Sequence, residues 1–242
     1  MNLLLDTHCH TLASGHAYST IEEMATYAKK IGFKLIAITD HGPKMPGSAH
    51  ILYFKNLRVV PKEIDGVEIL KGAEANIMNH EGKLDLSESV LKNLDIVIAS
   101  LHQPCIKPGT MEQNTNTLIS LMRLPYIHII GHPGNPAYPV DVEKLVKAAK
   151  ESSTLIEINN SSLKPETFRT GSKENCYNIL KACRDEGVAV TIGSDAHISY
   201  DIGNFSVAKN MMEDLNMPEE LITNTSVDRL KAQIKKKKAS EV

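Results

Sequence analysis

Short apolar runs rich in β-branched residues alternate with longer amphipathic stretches along the chain. Leu3–Leu5, Leu35–Thr39, Val67–Leu70, Ile96–Ala99, Ile127–Ile130, Leu155–Ile158 and Val188–Ile192 each predict a strand. Helical spacing fills the intervals over Thr20–Ile31, Thr115–Arg123, Asp141–Ser152 and Ser172–Glu186, with further helices expected over Tyr200–Leu215 and Val227–Lys237. Strands too apolar to be half exposed, separated by helices, indicate a parallel sheet covered by helices, an α/β fold.

The polar positions decide between an open sheet and a closed one. The runs end in His8 and His10, in Asp40 and His41, in Glu74, in His102, in His132, in Asn159 and Asn160, and in Asp195 and His197. An open sheet would string such residues along an edge, whereas a barrel gathers them at one mouth. The pattern therefore predicts a (β/α) barrel of seven strands. No Pro/Ser/Gly-rich linker interrupts it, so residues 1–242 are expected to form a single domain. The long Gly42–Glu68 segment, with Pro43, Pro46, Gly47 and Pro61, is expected to lay a loop and a short helix over the mouth.

Composition narrows the function. Hydrophobic content of 42% and charged content of 23% are ordinary for a globular protein, and a net charge of −2 leaves no electrostatic footprint for nucleic acid. No apolar run approaches the ~20 residues of a membrane span, and no signal-like segment opens the chain, so a cytoplasmic protein is expected. Cys9, Cys105, Cys176 and Cys183 show neither zinc-ribbon nor disulfide spacing and are read as structural. The Lys235–Lys238 run reads as the solvated end of a final helix.

Nine metal-competent side chains remain: His8, His10, His16, His41, Glu74, His102, His132, Asp195 and His197. Neutral imidazoles suit zinc, iron or manganese, and carboxylates can bridge cations. The set exceeds the needs of one tetrahedral ion, so two or three ions are implied. Two ions about 3.5–4 Å apart activate water and stabilise attacking and departing oxygens, as phosphate ester hydrolysis requires. No Gly-x-Ser-x-Gly elbow supplies an alternative nucleophile. His128, inside the fifth run, reads as a core residue, and His50 and His80 as exposed loop residues. Asp40 either orients a neighbouring imidazole or caps a turn.

DTHCHT, ITDHG (Ile38–Gly42), GAEAN (Gly72–Asn76), SLH (Ser100–His102), GHPGNP (Gly131–Pro136), EINNSSL (Glu157–Leu163) and GSDAH (Gly193–His197), taken in order, resemble the PHP superfamily, named for polymerase and histidinol phosphatase. EINNSS and RTGSKENC (Arg169–Cys176) further resemble its YcdX-like branch of small bacterial phosphatases. The resemblance implies a distorted seven-stranded (β/α)7 TIM-like barrel with three divalent ions, zinc first with manganese or iron as alternatives, at its C-terminal mouth. His8, His10 and Asp195 would hold the first ion; Glu74 would bridge it to a second held by His102 and His132; and His16, His41 and His197 would hold the third. A hydroxide bridging two ions, with no side-chain nucleophile, would attack phosphorus in a small phosphate monoester.

Asn159, Asn160 and Arg169 are the substrate-binding candidates, Arg169 through its planar fork ahead of a helix starting near Ser172. A phosphodiesterase or exonuclease, an amidohydrolase-type hydrolase and a non-catalytic metal-binding regulator stay open. A homo-oligomer, with a trimer as the implied form, follows from the branch resemblance alone.

Overall fold

The computed structural model describes residues 1–239. Its strands are β1 (Leu5–Cys9), β2 (Leu35–Ile38), a short β3 (Glu63–Ile64), β4 (Val67–Asn76), β5 (Ile96–Ser100), β6 (Ile129–Ile130), β7 (Leu155–Asn159) and β8 (Val190–Gly193). All but β3 are parallel neighbours in chain order, and β3 folds back antiparallel on β4. The helices are α1 (Ile21–Lys30), α2 (Ile51–Asn56), α3 (Glu88–Leu91), α4 (Met111–Met122), α5 (Val142–Ser152), α6 (Ser172–Glu186), α7 (Ser206–Asp214) and α8 (Val227–Lys238). The result is a nearly closed, distorted barrel of seven parallel strands with helices outside. Among the described residues no helix is long and apolar enough to cross a membrane.

Helix starts follow their caps. Thr20 and Glu23 form a capping box on α1. Thr110 and Gln113 do the same on α4, so that helix begins well before the predicted Thr115. At α7 a 3-10 turn occupies Ser199–Asp201, and the helix proper starts only where Val207 N and Ala208 N donate to Asn160 Oδ1 at 3.1 and 3.0 Å. The Gly42–Glu68 segment is more structured than a mouth loop. It carries α2, a 3-10 turn and β3, because it is the crossover that returns the chain from the top of β2 to the bottom of β4.

Register layers the barrel interior. Leu5 pairs with Leu35, Ile98 with Ile129 and Ile129 with Leu155, and these residues pack with Ala37, Leu70 and Ile96 in one buried cluster. Leu230 of α8 is fully buried in the same cluster, so the last helix plugs the barrel floor. Burying such a leucine stabilises the fold by about 1.5–3 kcal/mol. The outward residues of the same strands, Ile36, Ile38, Val97, Ile156 and Ile192 among them, join the helices in the larger core.

Two irregularities position the mouth. The β1–β2 ladder steps from Asp6 to Cys9 on one strand while the other moves only from Ile36 to Ile38. This bulge reverses the alternation: Leu5 faces the lumen, and beyond the bulge His8 and His10 face it too. Strict period-two spacing would have put them on the side opposite Leu5. Secondly, β1 and β8 pair through their backbones only at their C-terminal ends, where His10 N donates to Ala196 O at 2.8 Å and Asp195 N to His8 O at 3.0 Å, while Thr7 and Thr191 meet through their hydroxyls at 2.8 Å further down. Lower down, the buried Asn224 side chain fills the seam. Its Nδ2 donates to Leu5 O (3.1 Å) and Ile192 O (2.8 Å), and its Oδ1 accepts from Ile192 N (2.7 Å).

The expected solvation of Lys235–Lys238 fails at Lys237, which is 1% exposed and donates through Nζ to Met122 O at the end of α4. Its aliphatic stem covers the core while the ammonium meets the Met122 carbonyl at the C-terminus of α4, which the Thr154 hydroxyl also approaches at 3.3 Å.

Candidate metal centre

The strand ends deliver a dense set of ionisable groups. Glu74, projecting inward from β4, lies at the centre. Its Oε2 is 3.4 Å from His8 Nε2, 3.6 Å from His10 Nε2 and 2.6 Å from His41 Nδ1. Its Oε1 is 3.2 Å from His102 Nε2 and 3.0 Å from His132 Nε2, and those two nitrogens stand 3.1 Å apart. Asp195 Oδ1 approaches His10 Nε2 at 3.2 Å and His8 Nε2 at 3.7 Å. His16, in the loop after β1, is exposed, yet its ring stacks on His41 and His197 with centroids 5.0 and 4.8 Å apart.

All nine predicted donors therefore meet in one place. Their closest groupings are His8–His10–Glu74, His41–Glu74–His102 and His10–His41–His197. His41 thus contacts Glu74 as well as the His16–His197 set, so the groups interlock rather than dividing into separate triplets.

His132 and Asp195 both adopt positive φ, 31° and 56°. By alternation His132 would point outward with Ile130; the left-handed turn swings it into the mouth. Such backbone costs on the order of 1–3 kcal/mol and persists where surroundings fix it. At His132 the fixing group is Glu157, whose Oε2 accepts from His132 N at 2.7 Å.

Glu157 went unnoticed in the sequence because it sits inside the apolar run of β7. It is 1% exposed, and its Oε1 lies 2.6 Å from His8 Nδ1. Space for it exists because residue 193 is glycine: a Cβ there would stand 2.0 Å from Glu157 Oε1. The available signal was parity, since Glu157 is two residues before Asn159 and shares its inward face.

Further partners hold the other imidazoles. His10 Nδ1 contacts Ser14 Oγ at 3.0 Å, and Ser14 donates to Asp40 at 2.7 Å. Asp40 also accepts from Thr11 and Tyr53, so it orients a ligand-type imidazole through a serine. Asn76 donates through Nδ2 to Asp85 and accepts at Oδ1 from His102 Nδ1, 2.7 Å away. With Nδ1 engaged in each case, Nε2 of His8, His10 and His102 points into the cluster. Outer partners of this kind fix tautomer and ring orientation.

Electrostatics match. Burial would lower the His8 pKa, but the carboxylates of Glu157, Glu74 and Asp195 hold it well above the ordinary value. Burial would raise Glu74, and His102, His8 and His41 hold it well below. Asp195 behaves likewise, with burial opposed first by His8. His102 is pushed down to about 4, chiefly by burial, so its imidazole is neutral at neutral pH. Finally, His8 Nε2, His10 Nε2, His41 Nδ1 and Glu74 Oε2 are buried and crowd one another, yet none of them makes a hydrogen bond of normal geometry. Buried polar atoms normally find partners. Unpaired nitrogens converging on a carboxylate fit divalent cations.

Above the cluster opens a cavity of about 720 Å³ bordered by His16, His41, His102, Asp195, His197 and Arg169. Arg169 is no surface residue. It is 8% exposed, with Nη1 2.8 Å from Ser162 Oγ and 3.4 Å from Asp195 Oδ2. Asn159 lies beneath, donating to Asp195 Oδ2 and Glu157 Oε2 at 3.2 Å each. Asn160 is not brought to the cavity; its oxygen is taken up in capping α7. His128 is buried and accepts from Val97 N, while His50 is exposed and caps α2. His80 is half-buried against Gly109 and Thr117 rather than exposed.

The family described as PHP domain matches residues 6–163. The chain belongs to the PHP family. A probable phosphatase of Caldanaerobacter subterraneus subsp. tengcongensis is 56% identical over 239 residues, covering 98% of this chain and 93% of that protein. One from Clostridium novyi is 52% identical over 237 residues, covering 98% and 96%. Among solved structures, a histidinol phosphate phosphatase from Lactococcus lactis, complexed with zinc, L-histidinol and phosphate, superposes with a TM-score of 0.63 at 18% identity, covering 89% of this PHP protein and 94% of that chain. At that identity the likeness speaks for the fold.

Proposed function

We propose that this PHP-family protein is a metal-dependent phosphatase that hydrolyses a small phosphate monoester at a three-ion centre. The observation that carries the reading is the set of buried, unpaired donor atoms on His8, His10, His41 and Glu74 directly beneath an open cavity. The phosphatase names of relatives about half identical over nearly the whole chain support it.

His8, His10 and Asp195 would hold the first ion, His102 and His132 the second with Glu74 between them, and His16, His41 and His197 the third. Divalent ions, zinc foremost, supply Lewis-acid activation of water and neutralise charge at the phosphoryl group. The protein's own groups do the rest. Arg169 offers its fork to phosphoryl oxygens from the cavity wall. Glu157, Asn76 and the Ser14–Asp40 pair keep the imidazoles aimed, and Asn159 steadies Asp195. No thiol competes as nucleophile: burial pushes Cys105 up to about 11 and Cys176 to about 12. A reducing, cytoplasmic setting suits the unpaired cysteines.

The test is elemental analysis of protein purified without chelators, paired with assays of an aryl phosphate monoester and diester with and without added zinc or manganese. Near-stoichiometric loading of three ions with monoesterase activity is expected. One ion or none and no hydrolysis after reconstitution would leave a metal-binding regulator, and dominant diester cleavage would move the assignment to a phosphodiesterase.

A further inference from the structure

The wall of the mouth cavity differs in character from its metal-binding base. Tyr18, Met45, Pro104, Pro136, Phe168 and Ile198 border it, and Tyr18 and Phe168 leave 72% and 84% of their surface open. Large aromatics so exposed beside a cavity mark a surface awaiting an apolar partner. Phe168 is engaged on one side, where the Arg169 guanidinium lies 4.9 Å from its ring centroid. That contact ties the aromatic wall to the group best placed to meet a phosphoryl oxygen.

Charge on the wall is nearly absent. Among the described residues bordering the cavity, Arg169 is the one lysine or arginine. Polyphosphates and nucleic-acid backbones need several such cations. Asp201 is the one carboxylate there besides Asp195, and both of its oxygens are taken, Oδ2 by Lys164 Nζ at 2.7 Å and Oδ1 by Asn204 Nδ2 at 3.0 Å. The wall therefore holds no free anion for an amino substituent and no second cation for a carboxylate.

We infer that the substrate is a monophosphate ester whose organic part is uncharged and carries an aromatic or similarly flat apolar ring, seated against Tyr18 and Phe168. This rests on the phosphatase reading of the same site. The ring contributes through binding; phosphoryl oxygens meet Arg169 and the metal-binding base, the oxygen of a water bonds to phosphorus as the ester P–O bond breaks, and the ester oxygen takes a proton from that water and departs toward the cavity opening as the alcohol.

The test compares 2-phenylethyl phosphate with glycerol 3-phosphate, whose leaving alcohols are similarly acidic, on the metal-loaded full-length protein. The phenylethyl ester should have a kcat/KM about tenfold higher, with the difference in KM, as two aromatic contacts would supply. Phe168→Ala and Tyr18→Ala should each shrink that preference about threefold or more. Equal kcat/KM for the two esters, or a preference unmoved by both substitutions, overturns the inference while phosphatase activity stands. Failure to hydrolyse either ester with any added metal overturns the phosphatase reading itself.

Discussion

The floor and the mouth of this barrel are built by the same strands with opposite chemistry. At the floor, Leu5, Leu35, Leu70, Ile96 and Leu155 fill the lumen and Leu230 closes it. A few residues further along the same inward faces stand His8, Glu74, His102 and Glu157, fully or nearly buried, two of them, His8 and Glu74, with a polar atom outside any hydrogen bond. The floor is a packed core that would stabilise any barrel. The mouth gathers like charges and strained turns that only a rigid support would tolerate. Stability and chemistry are thus separated along the barrel axis, and substitutions at the two levels should have separable effects.

Glu74→Gln tests this most severely. Hydrolysis should fall roughly a thousandfold, reflecting several kcal/mol of lost metal-dependent charge stabilisation. Melting in chelator should be unchanged or raised. A variant keeping a tenth of its turnover would remove Glu74 from the centre.

Leu230→Ala reads the other level. Unfolding free energy should drop by about 2–5 kcal/mol with kcat unchanged below the transition. Chemical denaturation beside steady-state kinetics decides it, and a matching loss of bound metal would show the levels are coupled. Glu157→Gln lies at the junction. Metal affinity or turnover should weaken about 10–100-fold, because Glu157 touches both the His8 ring and the His132 backbone. Full metal retention with only a lower melting temperature would make Glu157 a mere packing residue.

The smallest effect concerns pH. Burial pushes His128, outside the metal centre, down to about 3. As pH falls below about 6.5 the unfolded chain takes up this proton first, so stability is lost by up to about 1.4 kcal/mol per pH unit. His128→Asn can still accept from Val97 N but does not titrate. Its melting temperature should decline less between pH 7 and 5 than that of the parent, and equal slopes would refute the assignment.

Much of this arrangement was legible in the chain. Apolar runs ending in His, Asp or Glu gave the strands, their parallel order and the nine converging donors, because burial and side-chain period are local properties. Glu157 escaped because one carboxylate inside Leu155–Asn159 looks like noise in an apolar strand. Asn160 was misread because its partners are the start of a helix some fifty residues away. Lys237 was misread because charge alone does not reveal a helix-end carbonyl waiting to accept it. The β1 bulge and the Asn224 seam depend on pairing between distant segments, which no local pattern encodes.

That seam also sets an order of events during synthesis. Asn224 bridges Leu5 and Ile192 where neighbouring strands would otherwise join, and Leu230 follows it into the floor. A nascent chain emerging from its N-terminus exposes His8 and His10 early, but the ring lacks its clasp until residues beyond 224 leave the ribosome. Cooperative closure, and with it a lumen able to shield the donors from stray cations, therefore waits until the Asn224–Leu230 stretch has joined strands made far earlier.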